Sequence, residues 1–265
     1  MRKLSPLAEE FFAKGRVADC PVYDMHGHAG LYCRIRMVTD DGPSMIRSMD
    51  RTGVKLLAFC HHWSLFSADS GNAANIELAR YAPDRFRAYC AINPNFPEIA
   101  EQDVATFDQY RDVYIGFKLL ADYHLQPITS EAYASAWEKA DREGLLMLLH
   151  TWAGSPYDGP PLVRAVAEQY PNANILMGHC CHNDWDSAIR LGKDFPNVYL
   201  ELCAVVDERG VLERFVNEVG SEKIVFGTDF PWFDQHYYIG AVLGADIDDE
   251  DRRNIFYRNA EKLLA

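Results

Sequence analysis

Histidines and one aspartate stand at the ends of several short apolar runs of this sequence. His26 and His28 are separated by a single glycine in PVYDMHGH, and His150 lies near the end of GLLMLLHTW. His179 follows a glycine in NILMGHCC, and Asp229 lies in IVFGTDFP. Imidazole nitrogens and carboxylate oxygens are ligands for zinc and similar divalent ions. These residues indicate metal chemistry if the fold brings the ends of the runs together.

The His-x-His pair carries more information than a single histidine. On a strand, residues i and i+2 face the same side, so His26 and His28 would face one common site. Two neutral imidazoles suit a borderline metal, and a carboxylate and a further histidine complete its ligands. Alone the pair is a weak signal. Together with His150, His179 and Asp229 at other run ends, chance becomes a poor explanation.

Eight apolar runs of this kind follow one another along the chain. They begin at Pro21, Lys55, Phe86, Tyr114, Gly144, Asn174, Val198 and Ile224. Their starts lie roughly 30 residues apart, and one strand-helix unit needs on the order of 30 residues. Short continuous apolar runs are typical of parallel strands buried on both faces. The pattern predicts a single (β/α)8 TIM barrel over residues 1–265, preceded by a short helix over residues 5–16.

Helix signals fill the intervals between the runs, with ordinary start and stop residues. They predict helices over Ser44–Thr52, Ala73–Tyr81, Ser130–Glu143, Pro161–Tyr170 and Glu250–Leu264. A doubly wound sheet uses the same alternation of strands and helices. No GxGxxG motif follows the first run, which weakens a dinucleotide-binding sheet. Because catalytic residues of a barrel lie at the carboxyl ends of its strands, the run-end residues favour the barrel.

The composition excludes several classes of partner. The net charge is −13, and an acidic protein repels a phosphate backbone, so we expect no nucleic acid partner. No apolar run is long enough to span a bilayer, and the first 15 residues lack the apolar region of a signal peptide. The seven cysteines follow no disulfide framework. We expect a cytoplasmic protein with reduced core thiols and no membrane partner.

The sequence resembles a known family over nearly its whole length from Val22 onward. The motifs are DMHGH, GFKLL, HTWAG, MGHCCHNDW, GTDFPW and the closing NIFYRNAEKLL. They are similar to the amidohydrolase-related family, which includes aminocarboxymuconate-semialdehyde-type and resorcylate-type decarboxylases and sugar or pyrone lactonases. The resemblance implies one divalent metal, commonly zinc, bound by His26, His28, His150 and Asp229. It also implies that His179 lies beside the metal as a base or electrostatic catalyst.

Further residues are candidates for binding a substrate. Lys118 lies between Phe117 and Leu119, so it can point into the barrel. It would bind a substrate carboxylate or form an ion pair; in binuclear relatives a carboxylated lysine here bridges two metals. His61 and His62 end the second run, and at most one of them should face the site because adjacent strand residues point to opposite sides. Trp152 and Trp232 also follow run ends and would form aromatic walls or cover the barrel. Asp24 is a candidate structural anchor or an acid behind the ligands, and Glu201 is a candidate for orienting the metal-site histidines.

Three functions are compatible with these residues. The leading hypothesis is hydrolysis of a small carbonyl compound by a metal-activated water, with Asp229 and His179 as catalytic residues and Lys118, His61, Trp152 and Trp232 contacting the substrate. The alternative is non-oxidative decarboxylation of an aromatic or unsaturated acid, for which Arg34, Arg36 and Lys118 are candidate cations. The third is a barrel that binds a ligand without turnover. The expected binding partner is a small-molecule substrate. The family resemblance is compatible with a homo-oligomer.

Overall fold

Eight parallel strands, hydrogen-bonded in chain order, form the centre of the structure. The structure is a computed structural model that describes residues 4–32 and 36–265. The strands are β1 (Val22–Ala29), β2 (Val54–His61), β3 (Phe86–Ala91), β4 (Tyr114–Leu119), β5 (Leu146–Trp152), β6 (Asn174–His182), β7 (Val198–Glu201) and β8 (Ile224–Val225). Every adjacent pair from β1 to β8 is parallel. The predicted (β/α)8 TIM barrel is confirmed.

The segment that follows β8 closes the barrel against β1. The N–H of Met25 donates to Phe226 O at 2.9 Å, and the N–H of His28 donates to Phe230 O at 2.5 Å. In the opposite direction, the N–H of Asp229 donates to His26 O at 2.7 Å. Residues 226–230 therefore continue the path of the last strand beside the first. We refer to this contact between β1 and residues 226–230 as the seam.

Helices surround the strands, and most begin or end at a recognisable cap. They are α1 (Pro6–Lys14), α2 (Gly42–Thr52), α3 (Ala68–Tyr81), α4 (Pro97–Thr106), α5 (Ala121–His124), α6 (Ala134–Glu143), α7 (Pro160–Gln169), α8 (Trp185–Asp194), α9 (Val211–Glu218), α10 (Gln235–Gly244), α11 (Asp249–Arg253) and α12 (Asn259–Leu264). Ser5 caps α1 through its side chain, and Gly53 ends α2 in the left-handed conformation that glycine favours. Within the described ranges, no helix has the length and apolar character needed to cross a membrane.

Alternate residues of the strands belong to two apolar clusters. In β5, Met147 and Leu149 pack in the cluster that also holds helix residues, whereas Leu146 and Leu148 pack in the cluster that fills the barrel. This is the two-residue period of a strand buried on both faces. Phe117 and Leu119 of β4 belong to the outer cluster, so Lys118 between them faces inward. The alternation thus decides which polar side chains reach the barrel interior.

The predicted helices are present with shifted limits. The helices that were not predicted are α4, α5, α8, α9 and α10. The residues predicted as one final helix form α11, a π-helical turn over Asn254–Arg258 and α12. The helix predicted from Ser130 begins as a 3-10 turn and becomes α-helical at Ala134. Six described cysteines are free and buried, as expected for core thiols. Cys33 and Arg34 lie outside the described residues.

Candidate active site

The two histidines of β1 are each fixed by a hydrogen bond at one ring nitrogen. Nδ1 of His26 lies 3.0 Å from Oε2 of Glu201, and Nδ1 of His28 lies 2.9 Å from the carbonyl oxygen of Cys60. Because a carboxylate or carbonyl oxygen accepts, each Nδ1 carries the proton and each Nε2 offers a lone pair. Burial lowers the pKa of His26 well below its usual value, so this imidazole is neutral at pH 7.

Asp229 completes a group of three donors at the seam. Its Oδ1 lies 3.0 Å from Nε2 of His28 and 3.4 Å from Nε2 of His26. The residue has φ +58°, and its own N–H is held by His26 O. Burial raises the pKa of Asp229, but His26 and His28 outweigh burial and hold it well below its usual range. Asp229 is therefore a carboxylate that faces two imidazole nitrogens.

A divalent metal ion fits these three donors. One ligand atom from each of His26, His28 and Asp229 lies within 4.8 Å of the other two. The donor set combines two neutral imidazoles with one carboxylate. In both rings Nδ1 makes the hydrogen bond that orients the ring, and Nε2 faces the carboxylate of Asp229. Metal-site histidines are commonly oriented in this way by a bond at the second nitrogen. The residues fit a mononuclear metal with open coordination positions.

His150 lies in a neighbouring group. Its Nε2 is 3.7 Å from Oδ2 of Asp122, and ligand atoms of His150, Asp122 and Asp158 lie within 4.8 Å of one another. Burial lowers the pKa of His150 to about 4. The structure does not bring His150 into the group formed by His26, His28 and Asp229, because its nitrogen faces the loop carboxylates. Ligand atoms of His26, His28 and Asp229 converge, and His150 lies beside them in the same cavity. The ligand set of His26, His28, His150 and Asp229 stays a prediction.

His179 is buried next to the metal candidates and keeps one nitrogen without a partner. Its Nδ1 makes no hydrogen bond to the described residues. Its ring centroid lies 5.3 Å from that of His26 and 4.7 Å from that of His150. The backbone is left-handed at His179, Cys180 and Cys181, with φ between 49° and 64°. Such conformations are uncommon for residues with a side chain and cluster at functional sites.

Glu201 and Asp24 are buried acids that hold groups around the site by hydrogen bonds. Glu201 accepts N–H groups from His26, His179 and Cys203, and burial raises its pKa to about 8. Asp24 accepts the hydroxyl of Thr228 at 2.6 Å and the amide of Gln235 at 3.0 Å, which ties β1 to the segment after β8. Glu201 contacts the ring of His26, as expected of an orienting residue, and Asp24 lies where a structural anchor would, between β1 and the segment after β8.

Lys118 is a buried cation candidate at the site. Only 1% of its surface is exposed, and its Nζ donates to Nε2 of His26 at 3.1 Å. Burial lowers the pKa of Lys118, while the charge of Asp229 acts in the opposite direction. The inward direction expected from Phe117 and Leu119 is confirmed. Arg36, by contrast, is exposed, and Arg34 lies outside the described residues.

These side chains line a cavity of about 230 Å³ at the barrel mouth. The lining consists of His26, His28, His62, Leu65, Lys118, Leu120, Tyr123, His150, Trp152, His179, Ala204, Asp229, Trp232 and Phe233. Among these described residues, Lys118 is the one lysine or arginine. Trp152 and Trp232 form aromatic walls. A small cavity with a few polar groups among aromatic side chains suits a small, flat ligand.

His62, rather than His61, faces this cavity. His62 stacks on His28 with ring centroids 4.8 Å apart, and its Nε2 accepts the indole N–H of Trp232 at 3.1 Å. His61 lines a different cavity with Trp63 and Gly30. The proposed substrate contact of His61 is therefore corrected to His62. Adjacent residues point to opposite sides at the end of β2, and nothing in the sequence distinguishes His61 from His62 as the one that faces the site.

Asp122 and Asp158 are the site residues that sequence reasoning missed. Asp122 lies in the short helix α5 after β4, and Asp158 lies in the loop after β5. Loop residues have no periodic pattern that predicts their direction. Their position after β4 and β5 could have indicated them, because the loops that follow barrel strands surround the active site.

A family model described as amidohydrolase matches residues 23–265 of the chain. A comparison with curated proteins finds no match. Solved structures show the same fold. 2,6-Dihydroxybenzoate decarboxylase from Rhizobium has a TM-score of 0.72 at 15% identity, covering 92% of this chain and 98% of that one. 5-Carboxyvanillate decarboxylase from Sphingomonas paucimobilis has a TM-score of 0.72 at 12% identity, covering 93% and 99%.

A third similar structure contains a metal. Dihydroxybenzoic acid decarboxylase from Polaromonas sp. JS666, with bound manganese and the inhibitor 2-nitroresorcinol, has a TM-score of 0.74 at 16% identity. The alignment covers 92% of this chain and 97% of that one. At these identities the likeness shows the fold alone.

Proposed function

Because the chain belongs to the amidohydrolase family, whose model it matches over residues 23–265, we propose that it is a metal-dependent decarboxylase of small aromatic or unsaturated carboxylic acids. The observation that carries this proposal is the position of Lys118. It is a buried lysine inside an aromatic cavity, beside the three metal candidates. A carboxylate is the substrate group that a buried ammonium recognises best.

The aromatic walls support a flat substrate. The rings of Trp152 and Trp232 line the cavity together with Tyr123 and Phe233. A planar acid can place its ring between such walls while its carboxylate reaches Lys118. The decarboxylases with the same fold act on aromatic acids according to their names, which agrees with this substrate class.

His26, His28 and Asp229 would hold one divalent ion, with His150 facing the same cavity. When bound, the ion supplies a Lewis acid that holds and polarises substrate oxygens. Zinc is the metal expected from the sequence, and manganese is the metal named in a similar structure. Both suit a mixed nitrogen and oxygen donor set.

The side chains of the chain have the following roles in decarboxylation. Loss of carbon dioxide leaves the electron pair of the broken C–C bond on the substrate carbon, and a proton must then reach that carbon. Asp229 is ionised because its pKa is held well below the usual range, and its position gives it the role of taking up a proton from a substrate hydroxyl or carboxyl group and passing it to the carbon. His179, a neutral imidazole with a free Nδ1, holds the substrate through a hydrogen bond. Lys118 orients the carboxylate.

The test uses the full chain loaded with zinc or manganese. We expect carbon dioxide release from a panel of hydroxybenzoic acids and related unsaturated acids. Asp229→Asn should nearly abolish turnover while the protein stays folded. Lys118→Met should raise KM for the acid by about 30-fold or more, since one partner of a buried charge pair is lost. Lys139→Met is the matched control, because Lys139 is a buried lysine that pairs with Asp108 and Glu143 outside the cavity.

Hydrolysis is the second candidate function. The observation in its favour is the position of Asp229, an ionised carboxylate that lies beside His26 and His28 and lines the cavity, where it can accept a proton from water. A parallel panel of lactones, esters and amides separates the two reactions. Water-dependent cleavage in this panel without carbon dioxide release from the acids would replace decarboxylation by hydrolysis. Turnover in neither panel with metal-loaded protein would contradict both.

A further inference from the structure

We propose that His62 is a specificity-determining positioning residue, which holds Trp232 between the active-site cavity and a second cavity and so confines the substrate to acids with a single small ring. As a statement about substrates, this rests on the proposed function. The separation of the two cavities by Trp232 is a feature of the structure whatever the reaction.

A second cavity shares Trp232 and Phe233 with the active-site cavity. It has a volume of about 400 Å³ and is lined by residues of α2 and by the segment 230–234 after β8. The active-site cavity has a volume of about 230 Å³, and Trp232 and Phe233 also belong to its lining. Because these two side chains border both spaces, they separate one from the other. We refer to Trp232 and Phe233 as the partition.

His62 holds the indole of Trp232 in a tautomer that its own partners determine. Nδ1 of His62 lies 2.8 Å from the carbonyl oxygen of Gly30, which can only accept, so Nδ1 carries the proton. Nε2 then offers a lone pair and accepts the indole N–H of Trp232 at 3.1 Å. An indole nitrogen can only donate, so both hydrogen bonds form together in this tautomer alone. Trp232 is thereby tied to the end of β2.

The ring of His62 is itself fixed by its neighbours. Only 2% of the residue is exposed, and the ring is stacked on His28 with an angle of 14° between the planes. The ring of Tyr32 packs against His62 and Trp232, with centroid distances of 5.4 and 4.8 Å. A fixed ring keeps its acceptor nitrogen in one place. Loss of the His62 side chain should therefore release the indole and open the partition.

The second cavity carries positive charge on the side of α2. Arg47 and Arg51 are exposed, lie four residues apart on this helix and both line the cavity. Within the part of the chain that the structure describes, neither guanidinium forms a hydrogen bond or an ion pair. Asp234 also lines the cavity, but its carboxylate accepts the N–H of Tyr237. An acid that extended past the partition would therefore meet two guanidinium groups that suit a second carboxylate.

The experiment is calorimetric binding of three acids to the full chain loaded with zinc or manganese. The probes are salicylate, 2-naphthoate and naphthalene-2,6-dicarboxylate. We expect the unchanged protein to bind salicylate more tightly than either naphthalene acid. His62→Leu should bind the dicarboxylate at least about 10-fold more tightly than the unchanged protein does, and its affinity for salicylate should change by less than about 3-fold. Arg47→Gln with Arg51→Gln in the His62→Leu protein should remove the preference for the dicarboxylate over 2-naphthoate.

Hydrogen exchange of the Trp232 indole tests the positioning role without any ligand. In ¹⁵N-labelled protein, its N–H resonance is the one that is missing from Trp232→Phe. We expect this proton to exchange faster in His62→Leu than in the unchanged protein, because its acceptor is gone. The indole N–H of Trp185, which donates to Glu208 outside both cavities, is the internal control and should exchange equally in the two proteins.

Two further variants separate the partition from its support. Trp232→Ala removes the larger ring outright and should admit 2-naphthoate with or without His62. Trp185→Phe is the matched control, because it removes an indole outside both cavities, and its affinities for the three acids should stay unchanged.

Two results would overturn the role of His62. One is an equal indole exchange rate in His62→Leu and the unchanged protein. The other is tight binding of 2-naphthoate to the unchanged protein, or an affinity for it that stays the same in Trp232→Ala. If the unchanged protein bound salicylate without releasing carbon dioxide from any acid, the proposed reaction would fail, while the exchange and binding measurements would still decide the role of His62.

Discussion

At the residue scale, each imidazole of the candidate metal group is oriented by a partner at its second nitrogen. Glu201 serves His26, and the carbonyl oxygen of Cys60 serves His28. The ring of His28 is also stacked on His62, which Trp232 holds through its indole N–H. These contacts fix the tautomer of each ligand. Their effect should therefore be measurable as metal affinity.

Glu201→Gln tests this orientation. In the unchanged protein, both carboxyl oxygens of Glu201 face N–H donors, one of them the ring N–H of His26. A glutamine keeps one acceptor oxygen, but its NH2 group would face one or more of these donors. We expect the affinity for zinc or manganese to fall by about 10- to 100-fold. The measurement is metal titration of the folded variant. Glu208→Gln, which changes an exposed glutamate bonded to Trp185, should leave the affinity unchanged. Equal affinities in the two variants would contradict the orienting role.

At the element scale, the close approach of neighbouring strands limits which residues they can carry. Gly116 of β4 lies against β5, and a Cβ atom at this position would stand 2.0 Å from the carbonyl oxygen of Leu146. Since that atom belongs to the backbone, it cannot move aside without separating the two strands. Lys118 and His150 lie further along the same pair of strands, so their spacing depends on this contact.

Gly116→Ala should therefore destabilise the barrel. Forcing a methyl group into a packed interior costs about 1–3 kcal/mol. We expect the midpoint of urea unfolding to fall accordingly, with an unchanged dependence on urea concentration. Gly244→Ala is the matched control, because a Cβ at Gly244 meets nothing within 4 Å. An unfolding midpoint in Gly116→Ala equal to that of the control would show that the strands can separate at little cost.

The same scale shows what the sequence could and could not predict. The apolar runs and their spacing predicted all eight strands. The polar residues at run ends were predicted to meet at the barrel mouth, and His26, His28, His150, His179 and Asp229 all line the cavity there. The direction of Lys118 followed from its two apolar neighbours. The choice between His61 and His62 could not be made, because it depends on where β2 ends. The partners of His150 could not be predicted either, because Asp122 and Asp158 lie in segments without a strand period.

At the scale of the whole molecule, several buried acids make stability depend on pH. Asp103 accepts a hydrogen bond from Asn72, and burial raises its pKa to about 6. A raised folded pKa means that the folded protein binds the proton more tightly than the unfolded chain. The resulting stability is fully present below the usual pKa of about 4 and is lost as the pH rises through about 6.

Asp103→Asn should therefore raise the melting temperature at pH 8 more than at pH 4. Asparagine removes the charge and keeps an acceptor for Asn72. After allowance for solvent screening, we expect a gain of at most about 1 kcal/mol at pH 8. Melting curves across this pH range provide the measurement. Asp108→Asn should behave in the opposite sense, because Lys139 and Arg111 lower the pKa of Asp108. Identical pH profiles for the two variants would contradict the assignment.

The seam brings together residues of the candidate metal group that are far apart in the sequence. Asp24 and Thr228, which bond across it, are 204 residues apart in sequence. During synthesis the histidine pair leaves the ribosome long before Asp229 does, so these three residues cannot come together until the segment after β8 has been made. In the folded protein, an ion held by His26, His28 and Asp229 would link β1 to the segment that follows β8. Binding of this ion would therefore indicate that the barrel has closed.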